Sequence, residues 1–229
     1  MEAVTATLFE LPEANRPHPA RYTDVLLTTF AKMLRGSKRI LDPFGGTGKV
    51  FLLEHWLLNA QIEAVEIEPE WAAINPRTTL GNALALPWPD NYFDAICTSP
   101  TYGNHMADQS TGLTPKSGTI TKYRAKIGRQ LHHDNSGAMS WGSKYQNFHI
   151  AAWIEAMRVL RPGGRFVLNI KDHIRNGERQ HVTDWHIKTL LDLGFVLQEH
   201  VKIPCPGMRY GQNRSEERRV GKECRSRWS

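Results

Sequence analysis

The stretch LDPFGGTGKV, residues 41–50, decides the fold class of this chain. It starts in an apolar run that is typical of a buried strand, and it passes through a glycine-rich turn into a helical pattern. A second stretch, CTSPTYGN at residues 97–104, follows another apolar run in the same way. Because the carboxyl ends of parallel strands share one edge of a sheet, we expect these two loops to lie side by side.

Strand and helix patterns alternate along the rest of the chain without an internal repeat. A helix is predicted from an N-cap at Thr23 to Leu34, with Val25, Leu26 and Phe30 on its apolar face. Further helices are predicted over KVFLLEHWLLN, PEWAAINP, FHIAAWIEAMRVL and VTDWHIKTLLDLG, and strands over RILDPF, IEAVEI, YFDAICTSP, RFVLNI and FVLQEHVKI. This alternation predicts an α/β fold with a doubly wound, mostly parallel sheet.

Length and composition favour one cytoplasmic domain. A chain of 229 residues with 40% hydrophobic content can bury a full core. Its apolar runs are too short and too interrupted by charge for a membrane span, and the N-terminus lacks a basic signal region. The three cysteines form no C-x-x-C pair, so we expect neither a disulfide framework nor a metal site.

The formal charge of +6 depends partly on the last sixteen residues. The peptide RSEERRVGKECRSRWS, residues 214–229, reads as the in-frame translation of a common sequencing adapter. It carries five arginines and one lysine against three glutamates, which leaves +3 for residues 1–213. We therefore interpret residues 1–213 as a single domain and residues 214–229 as a non-native tail; the alternative is a basic tail that binds nucleic acid.

The glycine-rich turn suits a nucleotide-like ligand, because glycines permit close approach and the following helix offers free N–H groups. It is not a phosphate-binding P-loop, since Pro43 replaces the first glycine and Val50 replaces the magnesium-binding hydroxyl residue. It is not a dinucleotide fingerprint either, since Phe51 replaces the third glycine. Taken alone, the turn is equally compatible with a simple tight connection between a strand and a helix.

Polar residues after two further runs extend this loop into a candidate site. Glu66 ends a predicted strand about twenty residues after the turn, where a carboxylate accepts the two hydroxyls of a ribose. Glu68, close by, is expected to be an exposed carboxylate at the start of the next helix. Asn82 lies in a third loop, GNALALPWPDN at residues 81–91, from which it could contact an adenine amine. An ordinary turn role for this asparagine is the alternative.

These motifs resemble those of the S-adenosylmethionine-dependent DNA amino-methyltransferases of the N4-cytosine/N6-adenine type. The family's cofactor loop, DPFxGxG, is matched by Asp42, Pro43, Phe44, Gly46 and Gly48. Its catalytic loop is Asp, Asn or Ser, then Pro-Pro and an aromatic residue; Ser99, Pro100 and Tyr102 match, and Thr101 replaces the second proline. The resemblance extends over residues 16 to about 203.

The resemblance implies a Rossmann-like class I methyltransferase fold, with seven mostly parallel strands, helices on both faces and a truncated last strand. It implies S-adenosyl-L-methionine as cofactor, held by the cofactor-loop residues with Glu66 and Asn82. The Ser99 hydroxyl and the Pro100 carbonyl would then hold the hydrogens of an exocyclic base amine, and Tyr102 would stack on the base. Serine at position 99 favours cytosine N4 over adenine N6 in this family.

The loop of residues 103–143 is expected to contact the substrate. It is rich in cations near the catalytic string, and long loops in compact domains are often functional. We assign substrate binding to five positions: Thr101, Asn104, Lys122, Tyr123 and Arg124. A duplex base cannot reach such a pocket, so the DNA base would be flipped out or single-stranded. A solvated loop without a substrate role is the alternative.

Two other functions remain open from the sequence. One is an RNA base N-methyltransferase, which transfer of labelled methyl to DNA or to RNA would distinguish. The other is a non-catalytic nucleic-acid-binding relic of the fold, which Thr101 alone favours. The sequence does not indicate an oligomeric state.

Overall fold

The computed structural model describes residues 24–103, 127–175 and 177–203. The helices are α1 (Asp24–Met33), α2 (Pro69–Ala72), α3 (Ser143–Val159) and α4 (Val182–Asp192), with 3₁₀ helices at Lys49–His55 and Ser136–Ala138. The strands are β1 (Arg39–Asp42), β2 (Gln61–Glu66), β3 (Thr78–Leu80), β4 (Phe93–Thr98), β5 (Leu160–Leu168), β6 (His173–Arg175) and β7 (Glu178–Gln180).

Five of the strands form a parallel sheet in the order β3-β2-β1-β4-β5. The chain leaves β1 toward β2 on one side and later returns to β4 on the other, so the strand order reverses between β1 and β4. A crevice for ligands forms at the carboxyl ends of the strands at such a switch point. The loops after β1 and β4 flank it, as the sequence predicts.

Both faces of the sheet are covered. Adjacent residues of a strand point to opposite faces, so neighbouring side chains pack against different helices. Ile40 packs with α1 and the 3₁₀ helix Lys49–His55 on one face, and Leu41 packs with α3 on the other. The Rossmann-like arrangement with helices on both faces is therefore confirmed. In α1, Leu26, Leu27 and Phe30 are buried, as is Leu34 directly after it, whereas Val25, which the sequence placed on the apolar face, is exposed.

The strand count differs from the seven that the family resemblance implies, since the sheet has five strands within the described ranges. The predicted strand over residues 195–203 is irregular. Phe195 packs against Phe166, but Val196 is 75% exposed and Leu197 53% exposed, so this segment lacks the burial that a sheet strand would give it. Three further strands were not predicted: β3, which has only three residues, and the two strands of the antiparallel β6-β7 hairpin.

Several predictions fall on residues outside the described ranges. These are the N-cap at Thr23, the substrate-binding residues Asn104, Lys122, Tyr123 and Arg124, and the tail at residues 214–229. Among the residues that the structure does describe, no helix is both long and apolar enough to cross a membrane.

Candidate active site at the carboxyl edge of the sheet

Asp42 joins the two loops that the sequence singles out. It is the last residue of β1 and is 1% exposed. Its Oδ1 accepts hydrogen bonds from the Thr98 hydroxyl at 2.7 Å and from the Phe44 N–H at 3.0 Å. Thr98 ends β4, directly before Ser99, so one buried carboxylate holds the glycine-rich turn against the serine-proline loop. Hydrogen bonds to a charged acceptor are stronger than neutral ones, which makes this an effective clamp.

The glycine-rich turn runs close to β2. Gly46 and Gly48 have φ angles of 53° and 78°, in the left-handed region that favours glycine. A side chain on Gly48 would also lie 3.0 Å from the Asn75 Cβ. The turn residues Pro43 and Phe44 face inward: Pro43 is buried, and the Phe44 ring stacks on His149 with ring centroids 5.7 Å apart. The Phe44 ring thereby packs the turn onto α3.

Glu66 lies at the carboxyl end of β2 and faces this turn. Its Oε2 accepts the Gly46 N–H at 2.8 Å, and its Oε1 accepts the Glu68 N–H at 2.8 Å. Burial raises the pKa of Glu66 to about 7, against the lowering effect of the backbone N–H groups, and the neighbouring Glu68 raises it further. The Ile67 N–H also acts on this carboxyl group, so three of its four acceptor sites face backbone donors and one stays for a ligand hydroxyl.

Glu68 is fully buried, contrary to the expectation of an exposed carboxylate. Its Oε1 accepts the His132 N–H at 2.7 Å and the Asn135 Nδ2 at 2.8 Å. Arg129 Nη2 lies 2.7 Å from its Oε2. All three partners belong to residues 127–138, which we call the clasp segment. The expectation was wrong because these partners are more than sixty residues away in sequence.

The clasp segment also engages Asn82. The Asn82 Nδ2 donates to the Asp134 Oδ2 at 2.9 Å, and its Oδ1 accepts the Leu84 N–H at 3.0 Å. Asn82 thus lies in the loop after β3, and its amide holds the clasp segment. His132, His133 and Asp134 each place one atom of a metal-ligating type within 4.8 Å of the others, a grouping that the sequence reasoning did not predict.

Ser99 and Tyr102 converge with a residue that the sequence reasoning missed. The Asn169 Nδ2 donates to the Ser99 Oγ at 2.9 Å, and the Tyr102 hydroxyl lies 3.4 Å from both atoms. Asn169 follows β5, the neighbour of β4, and its N–H donates to the Thr98 carbonyl at 2.9 Å. A polar residue at the carboxyl end of the predicted strand RFVLNI was the signal available in the sequence.

The rest of the serine-proline loop is held by the clasp segment and by α3. Pro100 is buried and Thr101 is half-buried. The Thr101 hydroxyl lies 2.8 Å from the Ser136 hydroxyl in the clasp segment, and the Thr101 carbonyl accepts the Tyr145 hydroxyl at 2.7 Å. Gly103 closes the loop, because its carbonyl accepts the Trp141 N–H at 2.8 Å. The structure therefore places Ser99, Pro100, Thr101 and Tyr102 in one fixed loop beside the glycine-rich turn.

Comparison with known proteins gives structural likenesses. No family model and no curated protein matches the chain. A SAM-dependent methyltransferase from Aquifex aeolicus aligns with TM-score 0.45 and 14% identity, over 77% of this chain and 82% of that chain. The YcgJ protein from Bacillus subtilis aligns with TM-score 0.38 and 21% identity, over 62% of this chain and 48% of that chain. PH0226 from Pyrococcus horikoshii aligns with TM-score 0.40 and 16% identity, over 66% of this chain and 62% of that chain.

This chain therefore spans about half the length of the YcgJ protein. All three likenesses are below 25% identity and below a TM-score of 0.5, so the argument for function rests on the geometry of the site.

Proposed function

We propose that this protein transfers a methyl group from S-adenosyl-L-methionine to an exocyclic amine of a nucleic-acid base, namely cytosine N4 or adenine N6 in DNA. The observation that carries the proposal is the Asp42 clamp. It holds the glycine-rich turn and the serine-proline loop together at the switch point of the sheet. A transferase for two substrates needs two such sites in contact, because the reacting atoms must approach within about 3–3.5 Å.

The residues around the glycine-rich turn fit the cofactor. Glu66 keeps an acceptor site for a ribose hydroxyl, and Gly46 and Gly48 allow the backbone to approach closely. When bound, S-adenosyl-L-methionine supplies an electrophilic methyl group on a positively charged sulfur.

The serine-proline loop fits an amine that must be made more reactive. The lone pair of an exocyclic amine is delocalised into the ring, so the nitrogen is a weak nucleophile. Asn169 already donates to the Ser99 Oγ, which leaves this oxygen one lone pair to accept an amine hydrogen. The Pro100 carbonyl would accept the second hydrogen. Both acceptors would stabilise the positive charge that develops on nitrogen during transfer.

Positioning accounts for most of the proposed rate acceleration. The amine nitrogen would bond to the methyl carbon in line with the carbon–sulfur bond that breaks; the sulfur would leave as a neutral thioether, and one amine proton would go to water. None of the described residues at Ser99 and Tyr102 needs to act as a strong base in this scheme. The Tyr102 ring would stack on the base and hold it flat in the pocket, and the clasp segment would screen the pocket from water.

The proposed substrate is DNA whose target base is flipped out or single-stranded, because a stacked base cannot reach Ser99. Serine at position 99 favours cytosine over adenine by the resemblance to the amino-methyltransferases. Thr101, together with the loop of residues 103–143, would contact the nucleotides next to that base.

Incubation of the full chain with a tritiated methyl donor tests this function. Single-stranded DNA, duplex DNA and a mixture of tRNA and rRNA are offered separately, and incorporated label is counted after nuclease digestion. Covalent transfer is measured because a basic tail could retain nucleic acid without methylating it. We expect the wild type to incorporate label into DNA and the Ser99→Ala variant to incorporate none. Label in RNA alone would overturn the DNA assignment, and no label in any pool would overturn the activity.

A further inference from the structure

A chain of three buried side chains ends on the carbonyl of Thr101, beneath the serine-proline loop. The Trp153 Nε1 lies 3.1 Å from the His186 Nδ1, and the His186 Nε2 lies 3.1 Å from the Tyr145 hydroxyl. The Tyr145 hydroxyl donates to the Thr101 carbonyl at 2.7 Å. Trp153, His186 and Tyr145 each have no exposed surface. We call this hydrogen-bonded series the tyrosine relay.

The direction of every proton in the tyrosine relay follows from the groups involved. The indole N–H of Trp153 can only donate, so the His186 Nδ1 must accept. A neutral imidazole then carries its proton on Nε2 and donates it to the Tyr145 oxygen. The Tyr145 proton is left with one acceptor, the Thr101 carbonyl. Burial, with His149 nearby, lowers the pKa of His186 to about 2, so the imidazole stays neutral and this order persists at neutral pH.

The held carbonyl is a sensitive point of the loop. The carbonyl of Thr101 belongs to the peptide plane that leads into Tyr102, and a peptide plane rotates as one unit. A hydrogen bond that fixes this oxygen therefore fixes the direction in which the chain enters Tyr102. The Thr101 hydroxyl is fixed separately by Ser136, which is 4% exposed. Two independent contacts thus orient the residue between the proposed amine acceptors and the proposed stacking ring.

We infer that Tyr145, His186 and Trp153 are positioning residues for methyl transfer, which orient the 99–102 loop through the carbonyl of Thr101. This inference rests on the proposed function and deepens it. A proline at position 101 would restrict the backbone through its ring. Here a threonine stands at that position, and hydrogen bonds from α3, α4 and the clasp segment supply the restriction.

The alternative is that the relay only holds α3 against α4, since Tyr145 and Trp153 lie on α3 and His186 lies on α4. The two roles differ in what they change. A structural role lowers the stability of the fold, and it leaves the turnover of the folded fraction intact. A positioning role lowers kcat of the folded enzyme and leaves cofactor affinity intact, because the glycine-rich turn and Glu66 are not in the relay.

Tyr145→Phe removes one hydroxyl and keeps the ring. We expect kcat for methyl transfer to fall by about 10- to 100-fold, the cost typical of a displaced reacting group, with the Kd for S-adenosyl-L-methionine unchanged. Tyr92→Phe is the matched control, because Tyr92 packs on Arg39 and Phe93 at the opposite end of β4 and should keep full kcat. Circular dichroism gives the folded fraction used to normalise kcat.

A second variant restores the restriction by another route. Thr101→Pro in the Tyr145→Phe background is expected to recover kcat several-fold over Tyr145→Phe alone. Ser136→Ala, which removes the other contact to Thr101 without touching the α3–α4 core, is expected to lower kcat several-fold.

If the wild type is active and the normalised kcat of Tyr145→Phe lies within twofold of the wild-type kcat, the inference is overturned and the proposed function stays intact. Inactive wild type would instead overturn the proposed function.

Discussion

The two sides of the candidate site are held by opposite chemistry. On the cofactor side, the buried anchors are carboxylates: Asp42, Glu66 and Glu68. On the acceptor side, the anchors are neutral side chains, among them Tyr145 and His186, whose hydrogen bonds end on the 99–102 loop. Carboxyl oxygens suit a ligand that brings hydroxyl donors. Neutral dipoles orient a loop without adding a full charge beside the reacting amine.

Ser99→Ala tests the acceptor side and has the largest expected effect. Removing an acceptor for the developing charge should lower kcat by about 10²- to 10³-fold, with the Kd for S-adenosyl-L-methionine unchanged. Single-turnover methyl transfer and calorimetric titration of the cofactor measure the two quantities. The division between the two sides fails if this variant loses cofactor affinity instead of kcat.

Glu66→Gln is the corresponding change on the cofactor side. A glutamine can accept through only one of its two terminal atoms, and its NH₂ group must face one of the two backbone N–H donors. Loss of a hydrogen bond to a charged group predicts cofactor Kd about 10- to 100-fold weaker. Single-turnover kcat at saturating cofactor should change little. A large loss of kcat with unchanged cofactor Kd would contradict the assignment of Glu66 to cofactor binding.

Thr98→Val tests the clamp between the two sides. It removes the hydroxyl that donates to the buried Asp42 carboxylate, which should lower the free energy of unfolding by about 1–3 kcal/mol. Thr78→Val is the matched control, because within the described residues the Thr78 Oγ1 is buried without a hydrogen-bond partner. Urea unfolding of both variants measures the difference. Equal stability changes would mean that Asp42 does not depend on Thr98.

The two buried histidines and Glu66 should respond to acid in opposite directions. Burial lowers the pKa of His149 to about 3 and that of His186 to about 2, from 6.5, so the stability they contribute is complete above pH 6.5 and is lost as pH falls. The pKa of Glu66 is raised from 4.5 to about 7, so its contribution is complete below pH 4.5 and is lost as pH rises.

Between pH 5 and pH 6 these contributions combine with a predictable sign. Two histidines oppose one glutamate, so acidification should destabilise the fold by about 1.4 kcal/mol per pH unit. Relative to wild type, Glu66→Gln should steepen this dependence and His149→Phe should flatten it. Urea unfolding at several pH values measures the slopes, and parallel slopes in all three proteins would contradict the assigned pKa shifts.

The sequence predicted the parts of the site that depend on local patterns. β1, β2 and β4 each contain a short apolar run that the sequence shows, and the glycine-rich turn and the serine-proline loop directly follow β1 and β4.

The contacts that complete the site join distant positions and leave no local pattern. Asn169 is seventy residues from Ser99, Tyr145 is forty-four residues from Thr101, and His132 is sixty-four residues from Glu68. Glu68 shows the consequence most clearly. As a carboxylate before a helix it resembles a solvated residue, and only the folded clasp segment makes it a buried anchor.

The most direct test is the identity of the methylated nucleoside. DNA incubated with the full chain and S-adenosyl-L-methionine is digested to nucleosides and analysed by mass spectrometry against authentic standards. The account predicts a methyl group on an exocyclic nitrogen, as N4-methyl-deoxycytidine or N6-methyl-deoxyadenosine, that is absent with Ser99→Ala. A methyl group on a ring carbon, or unmodified DNA despite measurable cofactor binding, would contradict it.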